Sequence, residues 1–299
     1  FSPEAKADVE KKVATMIDVY KERLAKNDWL TPETRDKAIV KLNVIKPYIG
    51  YPEELPARYK DKVVDETASL FENALAFARV EIKHSWSKWN QPVDYKEWGM
   101  PAHMVNAYYN PQKNLIVFPA AILQAPFYDL HQSSSANYGG IGAVIAHEIS
   151  HAFDTNGASF DENGSLKDWW TENDYAAFKE KTQKVIDQFD GQESYGARIN
   201  GKLTVSENVA DLGGIAAALE AAKREADFSA EEFFHNFARI WRMKGRPELM
   251  KLMASVDVHA PAKLRVNVQV PNFDDFFTTY DVKEGDGMWR SPEDRVIIW

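Results

Sequence analysis

His147-Glu148-Ile149-Ser150-His151 is the stretch whose residue types and spacing can do chemistry unaided. On a helix, residues four apart project from one face, one turn from each other. Two imidazoles so placed reach a common Zn²⁺ at about 2.0–2.1 Å. Glu148 follows the first His, where it leans over such a metal without ligating it and can take a proton from water. A catalytic zinc also needs a third protein ligand and an open fourth position. Enzymes that take a third His from the same run carry Gly and His where this chain has Asp154 and Gly157, so that class is excluded. The alternative is a carboxylate from a second helix. Glu207-Asn208-Val209-Ala210-Asp211 offers two, again four apart. Glu207 can ligate the metal, and Asp211 can accept the free N–H of a ligating His and so fix its tautomer. Downstream, Asp257-Val258-His259-Ala260-Pro261 and Arg265 form a second polar cluster. A His and an Arg beside an oxyanion can stabilise a tetrahedral intermediate. Taken alone, Glu207 and Asp211 read as a solvated helix face, and His259 beside a proline reads as a loop residue. The expected cofactor is one Zn²⁺ per chain.

The elements that must carry these residues are mostly helical. Val9, Val13, Met16, Tyr20 and Leu24 form one apolar stripe at helical spacing. Thr31-Pro32-Glu33 reads as an N-cap, a first-position proline and a first-turn acid. Leu70, Ala74, Phe77 and Ala78 suggest a third helix, and Lys46 to Pro56, with three prolines and Gly50, reads as a loop. Asn114 to Phe118 is a short β-prone run ended by Pro119. Gly139-Gly140 breaks the chain ahead of an apolar segment of helical length, Ile141 to Phe153. Thr171 with Asp174 opens a helix ending near Phe189, and Ser229 with Glu232 opens another. Thr204 to Arg224 is Ala-rich and helical, while Leu264, Val266, Val268 and Val270 alternate as an extended segment does.

With 44% hydrophobic and 27% charged residues, the composition is that of a globular protein and excludes disordered and collagenous classes. The absence of Cys excludes a disulfide scaffold, a Cys-ligated zinc and a thiol nucleophile. A net charge of −9 argues against nucleic acid as a partner. Residues 1–97 carry 17 basic and 17 acidic groups, so the −9 lies entirely in residues 98–299, which suggests a boundary between them. No apolar run approaches the ~20 residues of a membrane span. Phe1-Ser2-Pro3-Glu4 has neither an initiator Met nor a signal-peptide pattern, so a processed or truncated chain is expected.

The motifs, in order, resemble a known family. Asn106-Ala107-Tyr108-Tyr109, Ile116-Val117-Phe118-Pro119-Ala120 and Asn137-Tyr138-Gly139-Gly140-Ile141-Gly142 lead into His147-Glu148-x-x-His151. Phe153-Asp154, Asp168-Trp169-Trp170, Glu207-Asn208-x-Ala210-Asp211-x-Gly213-Gly214, Asp257-Val258-His259 and Trp299 follow. This resembles the neprilysin-like zinc endopeptidases, most closely their bacterial oligopeptidase branch. The resemblance runs over residues 98–299, and more weakly back through Ile49-Gly50-Tyr51-Pro52 and Leu30-Thr31-x-Glu33-Thr34.

The resemblance implies roles. His147, His151 and Glu207 are expected to ligate zinc, Glu148 to be the base, Asp211 to orient a ligating His and His259 to bind the oxyanion. Asn106 and Ala107 are expected to pair with the substrate backbone, and Arg265 to hold a substrate carbonyl. Ile122, Phe127, Val144, Ile240 and Trp241 are expected to form an apolar substrate pocket, although from the residues alone they read as core packing. The expected fold is mainly α (α+β): a thermolysin-like catalytic domain with a small β-sheet over residues 98–299. Residues 1–97 are expected to be helices of an incomplete capping domain and its linkers. The expected activity is zinc-dependent hydrolysis of oligopeptides on the N-terminal side of bulky apolar residues. A binding or adhesion module that keeps the fold without turnover is the alternative, as is one chain of a two-chain peptidase. The family's chains are about twice this length, so the missing N-terminal half is an expected partner beside the peptide substrate. Animal members carry disulfides, so the absence of Cys points to bacteria, with the cytoplasm favoured over export.

Overall fold

The computed structural model describes all residues, 1–299. Helix α1 (Pro3–Lys26) begins where the Ser2 hydroxyl accepts the N–H of Ala5 and Pro3 takes the first helical position. It buries the predicted stripe of Val9, Val13, Met16, Tyr20 and Leu24. Helix α2 spans Pro32–Asn43. The Thr31 side chain does not cap it; its hydroxyl donates instead to the carboxylate of Asp174, 2.7 Å away. There follow α3 (Leu70–Ser87), α4 (Ser134–Asn137), α5 (Ala143–Ser150) and α6 (Glu172–Phe189). Then come α7 (Gly201–Ala222), α8 (Ala230–Ile240), α9 (Pro247–Val256), α10 (Ala262–Asn267) and α11 (Asp274–Tyr280). Strands β1 (Lys46–Gly50), β2 (Tyr108–Asn110) and β3 (Leu115–Pro119) form one small sheet, and β4 (Glu193–Ser194) pairs with β5 (Ala197–Arg198). The chain is mainly helical, as expected.

Three local expectations are corrected. Residues 46–50 are a strand, not a loop: β1 runs parallel to β3, with Lys46 opposite Leu115 and Gly50 opposite Pro119. It lies at the sheet edge, where Pro47 and its missing N–H are tolerated. Residues 264–270 are not extended. They form α10 and its continuation, with Leu264, Arg265 and Val268 buried at helical spacing. Four alternating apolar residues fit either period, and burial of one side decided between them. Gly139-Gly140 does not break the chain, because a π-turn over Tyr138–Gly142 joins α4 to α5 in one continuous helical run. A Cβ on Gly139 would stand 2.1 Å from the carbonyl oxygen of Phe233, so glycine here admits α8 rather than ending a helix.

The core does not divide at residue 98. One apolar cluster holds residues of α1, α2 and β1 together with residues of β3, α5, α6 and α7. All eight residues of α5 are buried, as expected of a helix enclosed on every side. Residues 1–50 are therefore built into the same body as the HExxH helix. The stretch from 51 to 106 contains no buried residue. Within and beside α3, Leu70 is 88% exposed, Phe71 and Trp86 are 70%, and Trp89 is 72%. This is the apolar helix read from the sequence, but its apolar side faces outward.

At the other end of the chain, Trp299 closes the core. Its indole lies 5.6–6.2 Å, centroid to centroid, from the rings of Trp29, Phe153, Trp170 and Phe178. Phe153 follows α5 directly, so this cluster backs the catalytic helix. Trp299→Ala is expected to cost about 3–5 kcal/mol of stability. Denaturant unfolding would register that as a lowered midpoint at unchanged slope.

Candidate active site

Helix α7 is set beside α5 by two glycines. A Cβ on Gly214 would stand 2.9 Å from both the carbonyl oxygen of Ala143 and the amide nitrogen of His147. A Cβ on Gly213 would stand 2.3 Å from the Ser150 hydroxyl and 2.6 Å from that of Tyr20. Each glycine costs about 1 kcal/mol of helix propensity; in return the two helices touch backbone to backbone at Gly214, and Gly213 admits the side chains of Ser150, Tyr20 and Trp299. Side chains one and two turns earlier on α7 thereby reach the imidazoles of α5.

The Nε2 atoms of His147 and His151 lie 3.0 Å apart. Glu207 Oε2 is 3.2 Å from the first and 3.4 Å from the second. The other ring nitrogens face carboxylates: His147 Nδ1 is 2.8 Å from Asp211 Oδ1, and His151 Nδ1 is 2.5 Å from Asp154 Oδ2. Those carboxylates favour a proton on Nδ1, the tautomer that frees Nε2 for a metal. Three possible ligand atoms converge, and Glu207 Oε2 is buried without a hydrogen-bond partner. That donor set fits a divalent cation, and the candidate ligand atoms all lie within 4.8 Å of one another. Two nitrogens and one carboxylate oxygen suit zinc.

The charges behind the ligands are ordered. Arg265 grips Asp211 with two bonds, Nε to Oδ2 at 2.8 Å and Nη2 to Oδ1 at 2.6 Å. Burial pushes the Asp211 carboxyl up, but Arg265 and His147 outweigh it and hold it at about 2. Asp211 therefore stays ionised and keeps His147 in the ligating tautomer. Arg265 in turn lies flat on the Trp241 ring, 3.7 Å from its centroid. Burial raises the Glu148 carboxyl above the usual carboxylate range, although His147 and His151 oppose it. His259 Nε2 is 3.2 Å from Glu207 Oε2, and Asp257 Oδ1 lies 2.9 Å from its Nδ1. The His259 side chain is 44% exposed, so it stands at the mouth of the site.

All of these groups open into one cleft of about 450 Å³. The cleft brings together every residue singled out in the sequence. His147, Glu148, His151, Glu207 and Asp211 form its floor, and His259 and Arg265 one wall. Asn106 and Ala107 lie on its rim, just before β2, the outer strand of the sheet. Ile122, Phe127, Val144, Ile240 and Trp241 supply apolar lining. The sequence reading passed over Asp154 as a partner of His151. Asp154 also accepts the N–H of Gly157 at 2.6 Å and the Ser206 hydroxyl at 2.7 Å. The available signal was its position three residues after His151, just past the end of α5.

Comparison with known proteins follows from this geometry. The model of peptidase family M13 matches residues 106–296, and a second M13 model, for the N-terminal part, matches residues 1–52. The chain belongs to peptidase family M13. Residues 53–105, between the two matches, lie within the stretch that has no buried residue. This M13 chain is 86% identical over 233 residues to a Streptococcus gordonii protein named as a zinc metalloproteinase, covering 78% of this chain and 41% of that one. It is 55% identical to the neutral endopeptidase of Lactococcus lactis over all of its own length and 48% of the other. The crystal structure of PepO from Lactobacillus rhamnosis superposes with a TM-score of 0.96 at 43% identity, covering 100% of this chain and 48% of that one. The M13 chain thus spans about half the length of the relatives it matches.

Two substitutions test the geometry. Gly214→Ala is expected to force α5 and α7 apart and to weaken zinc binding by roughly tenfold, and Asp154→Asn to weaken it by about 10–100-fold. Competition with a chromogenic chelator measures both.

Proposed function

We propose that this M13 chain is the zinc-bearing part of an endopeptidase that hydrolyses oligopeptides on the N-terminal side of a bulky apolar residue. The observation that carries the reading is the meeting of His147, His151 and Glu207, with their ligand atoms within 4.8 Å of one another, in a cleft that Glu148 also lines. Zinc held there supplies a Lewis acid that polarises the scissile carbonyl and lowers the pKa of water towards ~7.

The chain's own residues do the rest. Glu148 takes a proton from the attacking water and passes it to the leaving amine nitrogen. Its burial raises its basicity, which suits that exchange. His259, steadied by Asp257, donates to the carbonyl oxygen as negative charge builds there. Asp211 accounts for Nε and Nη2 of Arg265, which leaves Nη1 to hold a neighbouring substrate carbonyl. Asn106 and Ala107 hydrogen-bond the peptide main chain, which runs along the free edge beside β2. Ile122, Phe127, Val144, Ile240 and Trp241 receive the apolar side chain that follows the cleaved bond.

The outward apolar side of α3 supports a further part of the reading. The relatives are about twice as long, and the half of their chains with no counterpart here is the occupant we assign to Leu70, Phe71, Trp86 and Trp89.

Glu148→Gln is expected to keep zinc and to lose at least about 10²-fold in kcat. Near-normal turnover by that variant would remove Glu148 as the base. Glu207→Ala is expected to lose zinc on dialysis, read by metal analysis. A fluorogenic peptide panel varying the residue after the cleaved bond tests the apolar preference. Chelator-sensitive cleavage by this chain alone makes it sufficient. Cleavage only after the remaining half is added makes it one component, and no cleavage in either case favours the non-catalytic binding module.

A further inference from the structure

Lys41 is a buried cation that the hydrolytic reaction does not use. It lies on α2, within the part matched by the N-terminal M13 model, and is 1% exposed. Its ammonium has three N–H bonds and donates all three to main-chain carbonyls: Ala152 and Gly157 at 2.8 Å, and Phe160 at 2.6 Å. The rings of Tyr109, Phe153 and Trp169 surround it at 5.6–5.9 Å. Burial pushes the Lys41 ammonium down to about 7, against the pull of Asp154, Asp161 and Glu162. The ammonium is satisfied by main-chain oxygens rather than by a carboxylate.

The three carbonyls share one location. All belong to residues 152–160, the bend that leaves His151 at the end of α5. Within it Gly157–Ser159 make one 3-10 turn, in which the Gly157 carbonyl already accepts the N–H of Phe160 at 3.0 Å; Lys41 adds a second donor there and supplies the Ala152 and Phe160 carbonyls. The same bend carries Asp154, whose carboxylate meets His151 Nδ1 at 2.5 Å. Gly157 is held from both sides: its N–H donates to Asp154, and its carbonyl accepts from Lys41. We propose that Lys41 is a positioning residue for the zinc ligand His151: by gathering the carbonyls of Ala152, Gly157 and Phe160, it fixes the bend that presses Asp154 against His151 Nδ1. The inference rests on the zinc-site reading above.

Lys41→Met tests it in the intact protein, because Met keeps the length and the burial while removing charge and donors. The expected result is a folded variant with a lowered thermal midpoint, because buried carbonyls lose their donor. Its zinc affinity, read by chelator competition, should fall about 10–100-fold, as for other residues that orient a metal ligand. Its kcat should fall while KM stays the same. A folded variant with zinc affinity within about twofold of the parent overturns the proposal. If Lys41→Met does not fold, amide hydrogen exchange on the unsubstituted protein decides. Coupling between the bend and the metal is reciprocal, so removing zinc should reduce protection across residues 152–160, and unchanged protection there overturns the proposal. A parent that binds no zinc overturns the zinc reading itself. A parent that binds zinc, paired with an equally competent Lys41→Met, overturns only the role of Lys41.

Discussion

The close approach of two buried helices is the constraint on which the rest depends. Imidazoles at the end of α5 and carboxylates from α7 meet because Gly214 lets the two backbones touch and Gly213 leaves room for the side chains of Ser150, Tyr20 and Trp299. A helix pair normally packs 8–10 Å apart, axis to axis, with side chains between. Here the side chains at the contact are removed, and those one and two turns away become the site. The enclosure of α5 on all sides follows, since a helix held this closely by α7 leaves α1 and the sheet to cover its other faces.

Buried charge is arranged as a relay of partners rather than as isolated pairs. Trp241 supports Arg265, Arg265 grips Asp211, Asp211 holds His147, and His147 faces Glu207. On the other side, Lys41 holds the bend, the bend carries Asp154, and Asp154 holds His151. The members between Arg265 and His147, and between Lys41 and His151, satisfy one another, which is the condition under which buried polar groups are tolerated; Glu207 Oε2 is left without a partner. Trp241 also lines the cleft, so one ring both carries Arg265 and borders the surface proposed to receive a substrate side chain.

How much of this was legible depended on whether a residue's role was local. His147, His151, Glu207 and Asp211 declare themselves because a spacing of four on a helix fixes their direction. Ser229 and Thr171 declare themselves because capping is a local bond. Thr31 had the same local signature, yet its hydroxyl was drawn to Asp174 on another helix. Lys46–Gly50 reads as a loop because its partner, Leu115–Pro119, is far away in sequence. Asp154 lies only three residues from its partner His151, yet no motif marks the pair. Lys41 carries no local signal at all, because its three carbonyl partners converge only when α2 and the bend have packed. The apolar lining of the cleft was the hardest to separate from core, since Val144 and Ile122 are buried in the same way as residues that touch no cleft.

The stretch from 51 to 106 has a mechanical consequence. It leaves the body at the end of β1 and returns at the start of β2, and both strands flank β3 in one small sheet. The return point is Asn106-Ala107, on the rim of the cleft. Before its return the stretch already holds the sheet region: Trp98 stacks on Tyr48, and the Ala102 carbonyl accepts the N–H of Ala121. A load on the exposed tryptophans of this arm is thus carried to the sheet, which packs directly against α5.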